Sequence, residues 1–365
     1  MTFIIGSYPY FLLILIEIAI FIFGKKTENK KLKNIFYVVG LLVVFLFLIL
    51  KNDSVGTDTL SYRTAFEETC KSKRMVTKKD FAFYGSMLLF SYFSQSFFLY
   101  QLIMYLIIVS LYGCFIRFTS EDVFFSLLLF VFSIVFLMAL SGLRQTIAMA
   151  ICSMALFIFV KGKKYYKLIS IPIWLVSCFF HSSSLVFSLV FFSYFFKGEI
   201  NKKRIMYYLL IYLVSLVLGV WFFSFMYEIK DLRYQITSVF QGIPFGSLFH
   251  LSFLILSLYL YLRFSNLENC ETLNVEIGSW SILLYCCFLS TSIFGNVISR
   301  FGFYFAPAIL VFYPTVLKKL KPVKLKFFTL KNGYSFLVIT SFLALFLYDC
   351  LLKNSLGTFP YEWRF

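Results

Sequence analysis

Two polar islands interrupt an otherwise apolar stretch from Met138 to Ser184. The first reads ALSGLRQTIAMAI and carries Arg144 and Gln145; the second reads CFFHSSSLVF and carries His181, Ser182, Ser183 and Ser184. A guanidinium is a planar fork of donors suited to phosphate oxygens. An imidazole can accept a proton near neutral pH or donate to a developing charge. The serines suit sugar hydroxyls, and equally suit the N-cap of a helix. Beside lipid, a cation or imidazole is costly unless it faces a partner or a cavity. These residue types together point to a site for an anionic, hydroxylated ligand. The plainer alternatives are an arginine reaching to the membrane interface and a histidine satisfied within the core.

Two further segments carry candidates. In NDSVGTDTLSYRTAFEE, Asp58 sits with Gly56 and Thr57 in a polar turn. It is a candidate base or sugar ligand, or a solvated turn residue. Arg300 falls between SIFGNVIS and FGFYFAPAIL. Converging with Arg144, it would make a clamp for a diphosphate. His250 lacks polar company and reads as structural. The spacing shows no Ser-His-Asp arrangement, so a serine nucleophile is weakly supported. Eight cysteines lie mostly inside apolar runs, without zinc-ligand spacing or a disulfide framework. No carboxylate cluster stands out, and neither a metal nor a cofactor is expected.

The elements that must position these residues are membrane helices. Of 365 residues, 61% are apolar, 22% aromatic and only 14% charged. That is the composition of a polytopic membrane protein. The net charge of +17 reflects basic cytoplasmic turns, so no nucleic-acid partner is expected. Apolar runs predict twelve spans, near 7–24, 34–50, 98–117, 123–140, 144–160, 167–180, 182–196, 205–226, 247–262, 277–294, 301–317 and 334–351. The whole of 1–365 reads as one integral membrane domain, its first span retained rather than cleaved as a signal. The segment 81–95, within a long outer loop at 51–97, reads as a short interfacial helix.

Basic residues set the orientation. KKTENKKLK follows the first span, and KGKKYYK, KGEINKKR and KKLKPVKLK fall in later turns of the same side. Placing these in the cytoplasm puts both termini and every polar island on the extracytoplasmic face. Spans 167–180 and 182–196 reach only about 21–23 Å against a hydrocarbon core of about 30 Å. Their shared tip at His181 is therefore expected to be recessed, which requires a protein-lined cavity.

The order GTDTLSY, GLRQTIAMAI, HSSSL and SRFGFYF, with a closing PYEWRF, resembles the EpsG family of Wzy-type polymerases of bacterial exopolysaccharide, capsule and O-antigen. The resemblance runs from about residue 50 to the C-terminus. It implies an all-α fold related to the GT-C polyprenyl glycosyltransferases, in the bacterial plasma membrane. It also implies transfer of a glycan from undecaprenyl diphosphate onto the next lipid-linked repeat unit, on the outer leaflet, beside a flippase and a chain-length regulator. Carried onto this chain, the motifs select His181, Arg144 and Asp58 for chemistry. Arg300, Gln145, Tyr62, Ser182, Ser183, Ser184 and Tyr304 are selected for binding. Rival readings are a flippase for lipid-linked glycan, and an O-antigen ligase or membrane acyltransferase. Polar islands gathered on one face favour an enzyme over a transporter.

Overall fold

The computed structural model describes residues 2–161, 164–194, 200–228, 245–265, 273–291, 299–324, 328–354 and 356–364. Every named element among them is helical: α1 (Thr2–Lys26), α2 (Lys30–Ile49), α3 (Thr59–Ser72), α4 (Phe81–Ser91), α5 (Phe97–Thr119), α6 (Val123–Val131), α7 (Ile134–Ser141), α8 (Leu143–Lys161) and α9 (Lys164–Phe180) come first. A 3₁₀ helix, Ser182–Tyr194, separates these from α10 (Lys202–Glu228), α11 (Phe245–Phe264), α12 (Leu273–Ser290), α13 (Ile309–Lys319) and α14 (Leu330–Leu347). Polar side chains open several of the apolar runs. Asn29 accepts from the Lys31 and Leu32 amides, Ser96 from Leu99, and Asp122 from Phe125. Each such cap stabilises a helix start by about 1 kcal/mol.

Six helical stretches among the described residues are long and apolar enough to cross a membrane: Gly6–Lys26, Lys30–Ile49, Phe97–Thr119, Leu143–Val160, Phe245–Phe264 and Leu330–Leu352. Helices α6 and α7 make a seventh if their 53° bend lies within one span. The expected spans at 167–180, 182–196 and 277–294 appear as shorter apolar helices. That at 301–317 is divided among two short 3₁₀ helices, Arg300–Tyr304 and Ala306–Ala308, and α13. The expected span at 205–226 falls on α10. A helix, α4, stands where 81–95 was expected to form one, ends at Ser91, and buries the stripe Phe83, Met87 and Ser91.

The segment from Ser182 departs from the expected α-helix. The Ser184 amide bonds the His181 carbonyl at 3.0 Å, an i→i+3 step, and the Trp174 indole N–H takes the Ser184 carbonyl at 2.9 Å. That indole competes with an α-helical bond at the same carbonyl. At roughly 2.0 Å rise per residue, the 13 residues of this 3₁₀ helix extend further than an α-helix of equal length.

The chain packs as two compact units, Met1–Leu185 with Val338–Phe365, and Val186–Leu337. In the first, α8 is the hub and lies against α5 and α9, while α2 packs on α1 and α5. Small residues on α8 (Ala148, Ala150, Cys152, Ser153 and Ala155) are all buried, which lets neighbouring backbones approach closely. In the second unit, α12 packs against α10, α11 and α13. Hydroxyl pairs tie its helices together: Tyr208 with Ser279 at 3.1 Å, Tyr212 with Ser247 at 2.9 Å, and Ser257 with Tyr334 at 2.8 Å. Each such bond inside a membrane is worth about 0.6 kcal/mol.

A clasp closes one end of the first unit. The segment 51–57 pairs with 356–364 through Asn52 N–H to Glu362 O at 2.7 Å, Gly56 N–H to Gly357 O at 2.7 Å, and Thr57 N–H to Leu356 O at 2.9 Å. Arg364 donates to Asp53 at 2.8 Å and to Gln101, and Arg63 reaches the other Asp53 oxygen at 3.0 Å. Beneath them Lys51 is fully buried, its Nζ donating to the Val55 carbonyl and the Thr59 hydroxyl, both at 2.7 Å. Burial lowers its pKa to about 7, with Asp53 pulling it up and Arg364 pushing it down. A neutral amine has two N–H donors, matching these two acceptors.

Above about pH 7 the folded chain releases the Lys51 proton while the unfolded chain holds it to the ordinary lysine range. Stability must therefore rise with pH from about 7 to about 10. Thermal melting of the purified protein in detergent should show this rise, and Lys51→Met should flatten it relative to the parent. An identical slope in both would show that Lys51 is charged in its buried position.

Candidate functional site

The site begins at the break between α7 and α8. Gly142 ends α7, and its carbonyl accepts from the Thr146 amide at 2.8 Å and hydroxyl at 2.9 Å, which starts α8. Arg144 therefore lies in the first turn of a helix, where the helix dipole favours anions.

The GTDT loop is keyed into this break. Gly56 has φ +94°, and a Cβ there would meet the Leu140 carbonyl oxygen at 2.5 Å and Ser141 Cα at 2.7 Å. Only glycine combines that backbone with that approach. The Thr57 amide then donates to Ser141 Oγ at 3.0 Å, and the two hydroxyls lie 2.9 Å apart. Asp58 follows, half-buried, with its carboxylate turned toward Gly142. It makes no side-chain cap to α3 and accepts from Thr57 Oγ1 at 3.2 Å. Tyr62, one turn into α3, is buried edge-on to Phe83, with ring centroids 5.2 Å apart. Burial raises its phenol pKa, as does Asp58, while Arg144 lowers it.

A carboxylate not singled out in the sequence joins the two polar islands. Asp80 precedes α4 in the left-handed region, φ +51°, and its side chain is inaccessible to solvent. Its Oδ2 forms an ion pair with Arg144 Nη1 at 3.0 Å and faces His181 Nδ1 at 3.1 Å. Its Oδ1 accepts the Ser182 amide at 2.8 Å. Burial acts to raise the Asp80 pKa. Hydrogen bonds from His181 and Ser182, with the charges of His181 and Arg144, outweigh it and hold the pKa at about 2. The group is thus a carboxylate throughout the physiological range. Removing one partner from such a buried pair typically costs about 3–5 kcal/mol.

Arg144 is held on a second side by Tyr84, whose hydroxyl accepts Nη1 at 3.3 Å and whose ring centroid lies 5.8 Å from the guanidinium carbon. Its Nε–H is buried with no acceptor among the described residues. A buried donor left without an acceptor costs about 1–3 kcal/mol. His181 ends α9, its amide bonded to the Ser177 carbonyl at 2.9 Å. With Nδ1–H given to Asp80, the lone pair falls on Nε2.

The structure thus brings together Arg144, His181 and Ser182, with Asp58, Tyr62 and Gln145 on adjoining turns of the same unit. Gln145 is buried beside Arg144 in α8, and Ser183 is half-buried after Ser182. Ser184 points into the packing, with Oγ 2.9 Å from Ser177 Oγ and 3.3 Å from Cys178 Sγ. Arg300 and Tyr304 belong to the second unit. Arg300 is exposed at the start of its 3₁₀ helix, and Tyr304 is buried. His250 is buried in α11, 4.8 Å from the Tyr285 ring.

These features define a helical protein with several helices long and apolar enough to cross a membrane and a carboxylate-bridged Arg–His pair at helix ends. A profile of the EpsG family matches residues 34–363, nearly the whole chain, and the chain belongs to that family. Membership ties it to polysaccharide-related work at a membrane. No curated protein and no solved structure matches it.

Because the Asp80 pKa is depressed, its contribution to stability is complete above about pH 4 and is lost as pH falls through about 2. From the shift alone it amounts to on the order of 2 kcal/mol. The melting-temperature gap between the parent and Asp80→Asn should narrow as pH falls below 4. A gap that does not change down to pH 2 would contradict the bridged carboxylate.

Proposed function

We propose that the chain is a polymerase that joins lipid-linked oligosaccharide repeat units on the outer face of the bacterial plasma membrane. The observation that carries this reading is the convergence of Arg144 and His181 on one buried carboxylate, at a helix N-terminus suited to a diphosphate. The EpsG membership supports the substrate class. In this reading the shorter apolar helices are also membrane-embedded. The span count then approaches twelve, in a fold of the GT-C type with both termini outside.

The acceptor hydroxyl oxygen attacks the anomeric carbon of the donor glycan. The bond from that carbon to the diphosphate oxygen breaks, and its electron pair leaves with undecaprenyl diphosphate. His181 Nε2 takes the hydroxyl proton. Arg144 binds diphosphate oxygens through its guanidinium, and so stabilises the charge that develops on leaving. Asp58, beside the α8 N-terminus, is placed to hold a sugar hydroxyl. The proposed binding roles of Arg300 and Tyr304 rest on the family motif alone.

A deletion strain should accumulate carriers bearing one repeat unit on the outer leaflet, without polymer. Unflipped units on the inner leaflet would indicate a flippase instead. Complementation then examines the residues. Arg144→Lys keeps the charge but loses the fork, and should fail to restore polymer at normal protein level. His181→Gln should insert stably and accumulate single-repeat carriers. Normal polymer from His181→Gln would remove the base role.

Orientation can be checked separately. In a background without native cysteines, a cysteine at Lys26, Lys202 or Lys319 should resist an impermeant reagent in intact cells, and one at Lys79 should react. Labelling at position 202 would overturn the outward-facing site.

A further inference from the structure

We infer that Asp80 is a positioning residue: its carboxylate holds the His181 ring with Nδ1 protonated and Nε2 presented as the proton acceptor, and it anchors Arg144 through Nη1. The inference deepens the reading just given and rests on it for the identity of the reaction. Three observations carry it.

The first is where the side chain goes. Asp80 stands at the N-cap of α4, where an aspartate ordinarily accepts from the helix's first amides. Its side chain makes no such bond. It turns instead to groups in α8 and at the end of α9, and so forgoes the local cap for a distant pair of partners. The second is how its two oxygens are divided. Oδ1 takes the Ser182 amide and fixes the carboxylate plane; Oδ2 is shared by Arg144 and His181. A ring nitrogen facing an ionised carboxylate at 3.1 Å must carry hydrogen, because a carboxylate only accepts. The third is the backbone. At φ +51° glycine would be least strained, and asparagine or aspartate is tolerated. A position needing only that turn has no use for a buried charge.

Asp80 does not reach the reacting atoms in this scheme. It acts through His181 and Arg144, so its loss must alter the tautomer of His181 and not only the amount of protein. The chain holds just two histidines, His181 and His250, which makes the tautomer measurable. The full-length protein is labelled with ¹⁵N-histidine and placed in bilayers of phosphatidylethanolamine and phosphatidylglycerol. Solid-state ¹⁵N spectra are recorded near pH 8, and the signal missing from His181→Gln assigns His181. The parent should show neutral His181 protonated at Nδ1. Asp80→Asn, which keeps size and tolerates the backbone, should move His181 toward the Nε2–H form. In the complemented deletion strain, at equal membrane level, Asp80→Asn should lower polymer by about a hundredfold or more, as loss of the orienting carboxylate does in a catalytic triad.

An Nε2–H tautomer in the parent overturns the inference, and that measurement does not depend on any Asp80 variant folding. Normal polymer from Asp80→Asn also overturns it. The two readings fail differently. A deletion strain with unflipped units sinks the polymerase reading, while the His181 tautomer still decides what Asp80 does.

Discussion

A carboxylate taken wholly out of water is tolerable only if it is paired and hydrogen-bonded. Asp80 meets that condition from two places: the Arg144 guanidinium in α8 pairs with it, and the His181–Ser182 corner after α9 bonds to it. The rest of the first unit's architecture follows from this constraint. Helix α4 must lie against α9, as it does, or the carboxylate could not reach the corner. Helix α8 must start at Leu143, or Arg144 would face another direction. The loop 51–97 is thereby bound to α8 and α9 by charge as well as by apolar contacts such as Phe81 on Phe179.

A second layer fixes the other side of the site. The Gly56–Thr57 turn enters the α7–α8 break because a glycine there lets backbone meet backbone, and Thr57 then shares Ser141. The C-terminal strip 356–364 covers that loop with main-chain bonds and the Arg364–Asp53 pair. Lys51 seals the underside by filling two acceptors that no water reaches. Asp58 is held next to Arg144's helix by these contacts. They are short-range and steric, and any residue with a Cβ at position 56 would lever the loop away.

What the sequence made legible follows the physics of charge in apolar surroundings. Arg144 and His181 stand out because their neighbours are apolar, and an ionisable group there needs a reason. The long apolar runs marked most of the helices, and their composition marked the membrane. Asp80 was hidden because TKKDF reads as an ordinary basic loop, and its burial arises only when α4 docks on α9. One signal could have found it. An Arg–His pair in apolar surroundings calls for a carboxylate, and the loop 51–97 offers few: Asp53, Asp58, Glu67, Glu68 and Asp80. Of these, Asp80 alone directly precedes an apolar aromatic helix. The 3₁₀ helix after His181 was not legible either, since the Trp174 indole that takes the Ser184 carbonyl comes from the preceding helix.

The bridged arrangement also bears on when charge develops in the proposed transfer. With His181 neutral, Arg144 and Asp80 sum to no net charge. A bare arginine would hold the substrate and product diphosphates tightly and almost equally, and uniform binding does not speed the chemical step. The shared carboxylate weakens that resting attraction. When the acceptor hydroxyl loses its proton to Nε2, the triad gains one positive charge, at the moment the leaving diphosphate gains negative charge. The extra attraction then exists in the transition state and not before, the differential stabilisation that lowers a barrier. A histidine linked to an arginine through one carboxylate oxygen accomplishes this with side chains alone, and the strength of the effect depends on the burial that keeps Asp80 from sharing its charge with water.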